Sequence, residues 1–107
     1  MHNIFLPIVA LAALMAMPAS AQKKGDAAKG KEVYEQCGVC HASATDEKKM
    51  GPSMKGLYKK AALKNGKKVS DASVTESIKK GGNGMPPFED ILTADETANL
   101  LAYLKTL

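Results

Sequence analysis

The sequence predicts an all-α fold of three to four short helices joined by long loops. Apolar residues recur at helical spacing in separate stretches, and no stretch alternates with period two. Clusters of glycine, proline and asparagine interrupt the chain between the helical stretches. At 107 residues the chain is long enough for one domain.

The first element is an apolar run, NIFLPIVALAALMAM, followed by PASAQ. Ala19, Ser20 and Ala21 form a small-x-small site. Residues 1–21 are therefore expected to be a secretory signal peptide cleaved before Gln22, with residues 22–107 as the domain. The segment before the run, Met1-His2-Asn3, carries no lysine or arginine. The competing reading is a retained anchor. The run from Ile4 to Met17 is 14 residues, interrupted by Pro7, and a spanning helix needs about 20 apolar residues. The expectation is an exported, periplasmic protein without stable membrane insertion.

GDAAKGKEVYEQ, residues 25–36, predicts the first helix of the domain. Asp26 is placed to cap it, and Ala27, Gly30, Val33 and Tyr34 share one face. HASATDEKKMGPSMKGLYKK reads as loop, broken at Gly51-Pro52, with one helical turn from Met54 to Tyr58. Asn65-Gly66 marks a turn. DASVTESIKKGG predicts a second helix ending at Gly81, with Val74 and Ile78 as an apolar pair and Ser73 and Glu76 at capping-box spacing. GGNGMPPFED, with three glycines and two prolines, is excluded from any regular element. TADETANLLAYLKTL predicts the last helix: Thr93 and Glu96 have capping-box spacing, and Thr97, Leu100, Leu101 and Leu104 form the apolar face bordered by Tyr103.

The formal net charge is +4, and the first 21 residues contain no charged side chain. All 15 cations are lysine. Lysine is a hydrated point charge without arginine's bidentate fork, so diffuse steering suits it better than specific phosphate or base recognition. With no Trp and few aromatics, nucleic-acid binding has only bulk charge behind it and is not expected.

The 86 residues from Gln22 onward include one Phe and three Tyr, a thin supply of large apolar side chains. Domains this small usually recruit a staple, and the loop from Cys40 to Ser70 needs something to wrap around. The staple candidate is CGVCH, residues 37–41, which holds both cysteines of the chain and His41. A Cys37–Cys40 disulfide suits an exported protein but closes too small a loop to stabilise much. A thioredoxin-like site wants its CxxC at a helix N-terminus after a strand, and here it ends a helix. Zinc usually wants four protein ligands, and the motif supplies three. Covalent haem attachment uses this spacing directly: C-x-x-C-H is its signature. Two thiols three positions apart can add to two vinyl groups on one porphyrin edge, and the adjacent imidazole reaches the iron.

His41 is then the proximal ligand. Its other ring nitrogen needs an acceptor to fix the tautomer, and the Gly51-Pro52 turn can offer a carbonyl. Met50, Met54 and Met85 are candidates for the sixth ligand, although gap-filling is the commoner role of methionine. Met85 is best placed: three glycines precede it and Pro86-Pro87 stiffen the chain immediately after it. A His/Met pair raises the reduction potential relative to two histidines, because a thioether favours ferrous iron.

GDAAKGKEVYEQCGVCH, GPSMKGL, GGNGMPPF and LTADETANLLAYLKTL together resemble the class I c-type cytochromes, most closely the short bacterial ones. The resemblance covers nearly all of residues 22–107. It implies the cytochrome c fold around one covalent haem c, with Cys37 and Cys40 as thioether anchors and His41 and Met85 as axial ligands. It also implies that the Pro52 carbonyl accepts from His41. The first and last helices are expected to cross at right angles, Gly30 and Tyr34 against Leu100 and Tyr103. Two positions depart from the family pattern: Met54 stands for the usual leucine, and Tyr34 for the usual phenylalanine. The Tyr34 hydroxyl therefore needs a partner or an exposed rim.

Iron held from both sides has no open position for substrate, so the expected function is one-electron transfer, not enzymatic catalysis. Transfer would run through a haem edge near Cys37, Cys40 and the Met85 loop. Of the lysine pairs at 48–49, 59–60, 67–68 and 79–80, Lys79 and Lys80 precede that loop and are the expected steering charges for redox partners with acidic docking surfaces. The expected carrier is a monomer. The alternatives are a dissociable haem c subunit of a larger oxidoreductase complex and a gas-binding or peroxidase-like haem protein. The last requires an open sixth position.

Overall fold

A computed structural model describes residues 24–107. The expected signal peptide and its cleavage site lie outside the described residues. The element order is α1 (Ala27–Tyr34), a short 3-10 helix (Leu57–Lys59), α2 (Asp71–Lys80) and α3 (Ala94–Leu104). Among the described residues there is no strand, only isolated β-bridges pairing Ala62 with Lys68 and Gly82 with Met85. No described helix is long and apolar enough to cross a membrane.

Each α-helix begins where a side-chain oxygen can take orphan backbone N–H groups. Asp26 accepts from the N–H groups of Ala28 and Lys29 and starts α1. Thr93 and Glu96 form the expected reciprocal box at α3, at 3.1 Å in both directions. At α2 the box is Ser70 with Ser73, not Ser73 with Glu76. Both readings satisfy the spacing rule. Ser70 takes the cap because its backbone is extended, while Ser73 turns inward and donates to the Lys68 carbonyl at 2.6 Å. Glu76 is left on the outer face, where it pairs with Lys67 at 3.0 Å and Lys80 at 2.9 Å. Gly81 ends α2 as expected, with φ 63°. The turn expected near Met54–Tyr58 forms there: the Leu57 N–H donates to the Met54 carbonyl at 3.1 Å, and the chain continues as the 3-10 helix Leu57–Lys59 entered from Gly56.

The core gathers Tyr34, Leu57, Val74, Ile78, Leu92, Leu100, Leu101 and Leu104. Leu100 is 1% exposed and is the most deeply buried large side chain among the described residues. The dominant contact is α1 against α3. Gly30 makes it possible: a Cβ there would run into the Asn99 carbonyl and sit 2.8 Å from Tyr103 Cβ. Asn99 and Tyr103 thus lie directly against Gly30. Asn99 also accepts from the Asp26 N–H at 2.8 Å. The Tyr34 and Tyr103 rings meet beside this crossing, with centroids 5.2 Å apart.

A polar network ties the 3-10 helix to α2 and to the end of α3. Tyr58 donates to Asp71 at 2.9 Å, and Lys105 pairs with the other Asp71 oxygen at 3.1 Å while lying 5.4 Å from the Tyr58 ring centroid. Burial alone would raise the Asp71 pKa. The Tyr58 hydroxyl and the Lys105 ammonium outweigh it and hold the carboxyl below its usual range. Burial, followed by the Asp71 bond, pushes Tyr58 upward.

Candidate haem-attachment site

The backbone past α1 continues as turns, not as helix. Cys37 and Gly38 N–H groups donate to the Tyr34 carbonyl, and those of Cys40 and His41 to the Cys37 carbonyl at 3.1 and 2.9 Å. One turn thus carries both sulfurs and the imidazole. Both thiols are half-buried and unpaired, and burial pushes the Cys37 pKa upward, keeping it a neutral thiol.

His41 Nδ1 lies 2.7 Å from the Pro52 carbonyl oxygen. A carbonyl only accepts, so Nδ1 carries the proton and Nε2 keeps its lone pair. Gly51 sets the distance. A Cβ at Gly51 would collide with the His41 ring, 2.7 Å from Nδ1 and 3.0 Å from Nε2. Only hydrogen leaves the ring room to lie against the backbone. The Gly51 N–H donates to the Cys40 carbonyl at 2.8 Å, and Lys49 Nζ donates to the Gly38 carbonyl at 3.0 Å. These bonds draw residues 49–52 onto the cysteine turn.

Tyr34 finds the partner its hydroxyl needs. It donates to the His41 carbonyl at 2.7 Å. Burial, helped by the neighbouring Cys37 and Tyr103, pushes its pKa up to about 12, so it stays a donor. Tyr34→Phe is expected to lower stability by about 1 kcal/mol, read from urea unfolding of the holoprotein. An unchanged midpoint would mean that water replaces the bond without loss.

Met85 stands on a separate segment. Gly82 and Met85 exchange backbone hydrogen bonds of 2.9 and 3.0 Å across Asn83 and Gly84, whose φ angles are 52° and 91°. Both central residues are left-handed, as a tight type I′-like reversal requires. The turn fixes the Met85 backbone, and the side chain packs half-buried against the core cluster. Cys37 and Met54 pack against the same cluster, whereas Met50 is 85% exposed. Among the described residues no three His, Cys, Asp or Glu side chains converge as a metal site. The donor set suits a covalent haem: two thiols, an imidazole with Nε2 free, a glycine under the ring, and a thioether on a constrained turn.

Sequence reasoning missed what surrounds these residues. The contact of Gly51 with the imidazole and the Lys49 strap carry no periodic signal. The lysines before the Met85 loop read differently in three dimensions. Lys80 is paired with Glu76, which takes part of its charge out of any steering field.

The family described as "Cytochrome C oxidase, cbb3-type, subunit III" matches residues 25–104. A cytochrome c6 of Rippkaea orientalis is 35% identical over 102 residues, covering 94% of this chain and 86% of that protein. A cytochrome c2 of Blastochloris viridis is 38% identical over 80 residues, covering 73% of this chain but only 60% of that protein. The crystal structure of cytochrome c6 from the diatom Phaeodactylum tricornutum superposes with a TM-score of 0.59 at 26% identity, covering 77% of this chain and 93% of that one.

Proposed function

The chain belongs to the class I c-type cytochromes, which carry one covalently bound haem c, and from that premise we propose a soluble periplasmic one-electron carrier with His/Met ligation. Residues 1–21 are its export signal, removed before Gln22. Cys37 and Cys40 would hold the haem covalently as thioethers. His41 Nε2 and the Met85 thioether would hold its iron, and the Pro52 carbonyl holds the His41 ring. The observation that carries this reading is the single turn presenting both sulfurs and an imidazole whose Nδ1 is already engaged.

When bound, haem c supplies a reversible one-electron iron couple. The protein's part is to keep the metal saturated, so that nothing else binds, and to leave an edge near Cys37 and Cys40 within reach of a partner. Lysines around that edge meet acidic partner surfaces, with association rates that fall as salt rises. The test is spectroelectrochemistry of the exported holoprotein. A single one-electron Nernst wave without carbon monoxide binding to the ferrous form supports a carrier. Rapid carbon monoxide binding supports a gas-binding or peroxidase-like protein instead.

One observation favours a second reading, a dissociable haem c subunit of a larger oxidoreductase complex: the matching family's description names an oxidase subunit. Fractionation of the native host at low salt separates the two. A carrier runs at its monomer size, and a subunit runs with the complex.

A further inference from the structure

Two Asn-Gly steps stand in exposed turns of this protein, Asn65-Gly66 and Asn83-Gly84. They share a chemical liability. Asparagine is a thermolabile residue, because the backbone nitrogen of the next residue can attack its side-chain amide carbon. Glycine in that next place has no Cβ and leaves the nitrogen unshielded. Asn99 lacks that access: Leu100 follows it, and it sits half-buried in α3 with its Oδ1 taken by the Asp26 N–H.

The fold treats the two steps differently. Asn65 is held at three points: its Oδ1 accepts from the Lys67 N–H at 3.0 Å, its Nδ2 donates to Ser77 Oγ at 3.3 Å, and the Gly66 N–H donates to the Leu63 carbonyl at 2.9 Å. The last of these ties up the attacking nitrogen itself. Asn83 has no such restraint. Neither its carboxamide nor the Gly84 N–H has a hydrogen-bond partner among the described residues. The bonds of this turn run between Gly82 and Met85, on either side of the step, at 2.9 and 3.0 Å. They close the backbone around Asn83 and Gly84 and leave both residues exposed.

We infer that Asn83-Gly84 is a site of spontaneous deamidation, built into the turn that carries Met85. The Gly84 nitrogen bonds to Asn83 Cγ, the Cγ–Nδ2 bond breaks, and ammonia leaves with the Gly84 proton. Water then opens the succinimide. Opening at Cγ gives aspartate, and opening at the Asn83 backbone carbonyl gives isoaspartate. The net change consumes one water and releases one ammonia, with no oxidant or reductant. Either product is a carboxylate where Asn83 was neutral. Isoaspartate also routes the main chain through Cβ, which lengthens the two-residue reversal closed by Gly82 and Met85. Aged protein therefore loses the restraint on the Met85 backbone. The consequence for iron rests on the Met85 ligation proposed above, whereas the conversion itself does not.

The test is peptide mapping by mass spectrometry of the exported ferric holoprotein, stored warm at about pH 8, with isoaspartate read by enzymatic methylation. A gain of about 1 Da is expected at Asn83 at least about tenfold faster than at Asn65, the factor that about one net hydrogen bond supplies. In urea, with both turns gone, the two steps should convert within about twofold of each other. Asn83→Gly suits the left-handed turn, removes the carboxamide and should abolish the fast event. Ser77→Ala should speed Asn65 about threefold and leave Asn83 unchanged. Asn65 converting as fast as Asn83 in the folded protein would overturn the assignment. So would conversion of both steps in urea and of neither in the fold. The sulfur-to-iron band should fade in step with isoaspartate. Isoaspartate with that band intact would overturn the loosening of Met85. A band missing from fresh protein would count against the ligation alone, and the conversion rates would still decide the modification.

Discussion

Met85→Ala is expected to remove the weak sulfur-to-iron absorption near the red edge of the ferric spectrum and to open the sixth position to carbon monoxide. The reduction potential should fall by on the order of 0.1 V or more, within the roughly 0.8 V over which axial ligands set haem potentials. The direction comes from chemistry: a thioether favours ferrous iron, and water or hydroxide in its place does not. The structure supplies the controls. Met50 is 85% exposed, so Met50→Ala should leave spectrum and potential unchanged. Met54 is half-buried against the core, so Met54→Ala should cost stability, about 1–2 kcal/mol at such a site, without touching the band. Survival of the band in Met85→Ala, or its loss in either control, would move the sixth ligand elsewhere.

Gly30→Val should destabilise the holoprotein by about 3 kcal/mol. Helix propensity alone predicts the opposite sign for Gly30→Ala, a gain of up to about 1 kcal/mol inside a helix. Packing overrides propensity here because the obstructing atoms are the Asn99 carbonyl and the Tyr103 Cβ, which belong to another helix and cannot rotate aside. Even Gly30→Ala should therefore lose about 1–3 kcal/mol. Gly38→Ala is the contrasting case: its new methyl would meet the Glu35 carbonyl at 3.5 Å, an ordinary contact, and should be close to neutral. Urea unfolding of the ferric holoprotein reads all three. A Gly30→Ala variant as stable as the parent would mean that α1 and α3 separate without loss.

The α3 face was legible because Thr97, Leu100, Leu101 and Leu104 repeat at helical spacing and all four are buried. The α2 cap was misread because Ser70, Ser73 and Glu76 offer two overlapping boxes three residues apart. Spacing cannot choose between them, whereas burial of Ser73 can. The 3-10 helix was legible only as a turn near Met54–Tyr58, since three residues, Leu57–Lys59, are too few to show a period.

What the amino-acid sequence determined by itself is local. Hydrophobic period, caps and breakers set the helices, and the spacing of Cys37, Cys40 and His41 set the chemistry, because one turn of backbone brings those three together whatever surrounds them. What only the tertiary structure decided lies between segments far apart in the chain. It seats Gly30 under Asn99 and Gly51 under the His41 ring, gives Tyr34 the His41 carbonyl, and pairs Lys80 with Glu76 while Lys59 and Lys60 find no carboxylate among the described residues. These are matters of distance and burial after the chain has folded back on itself, and no sequence interval encodes them.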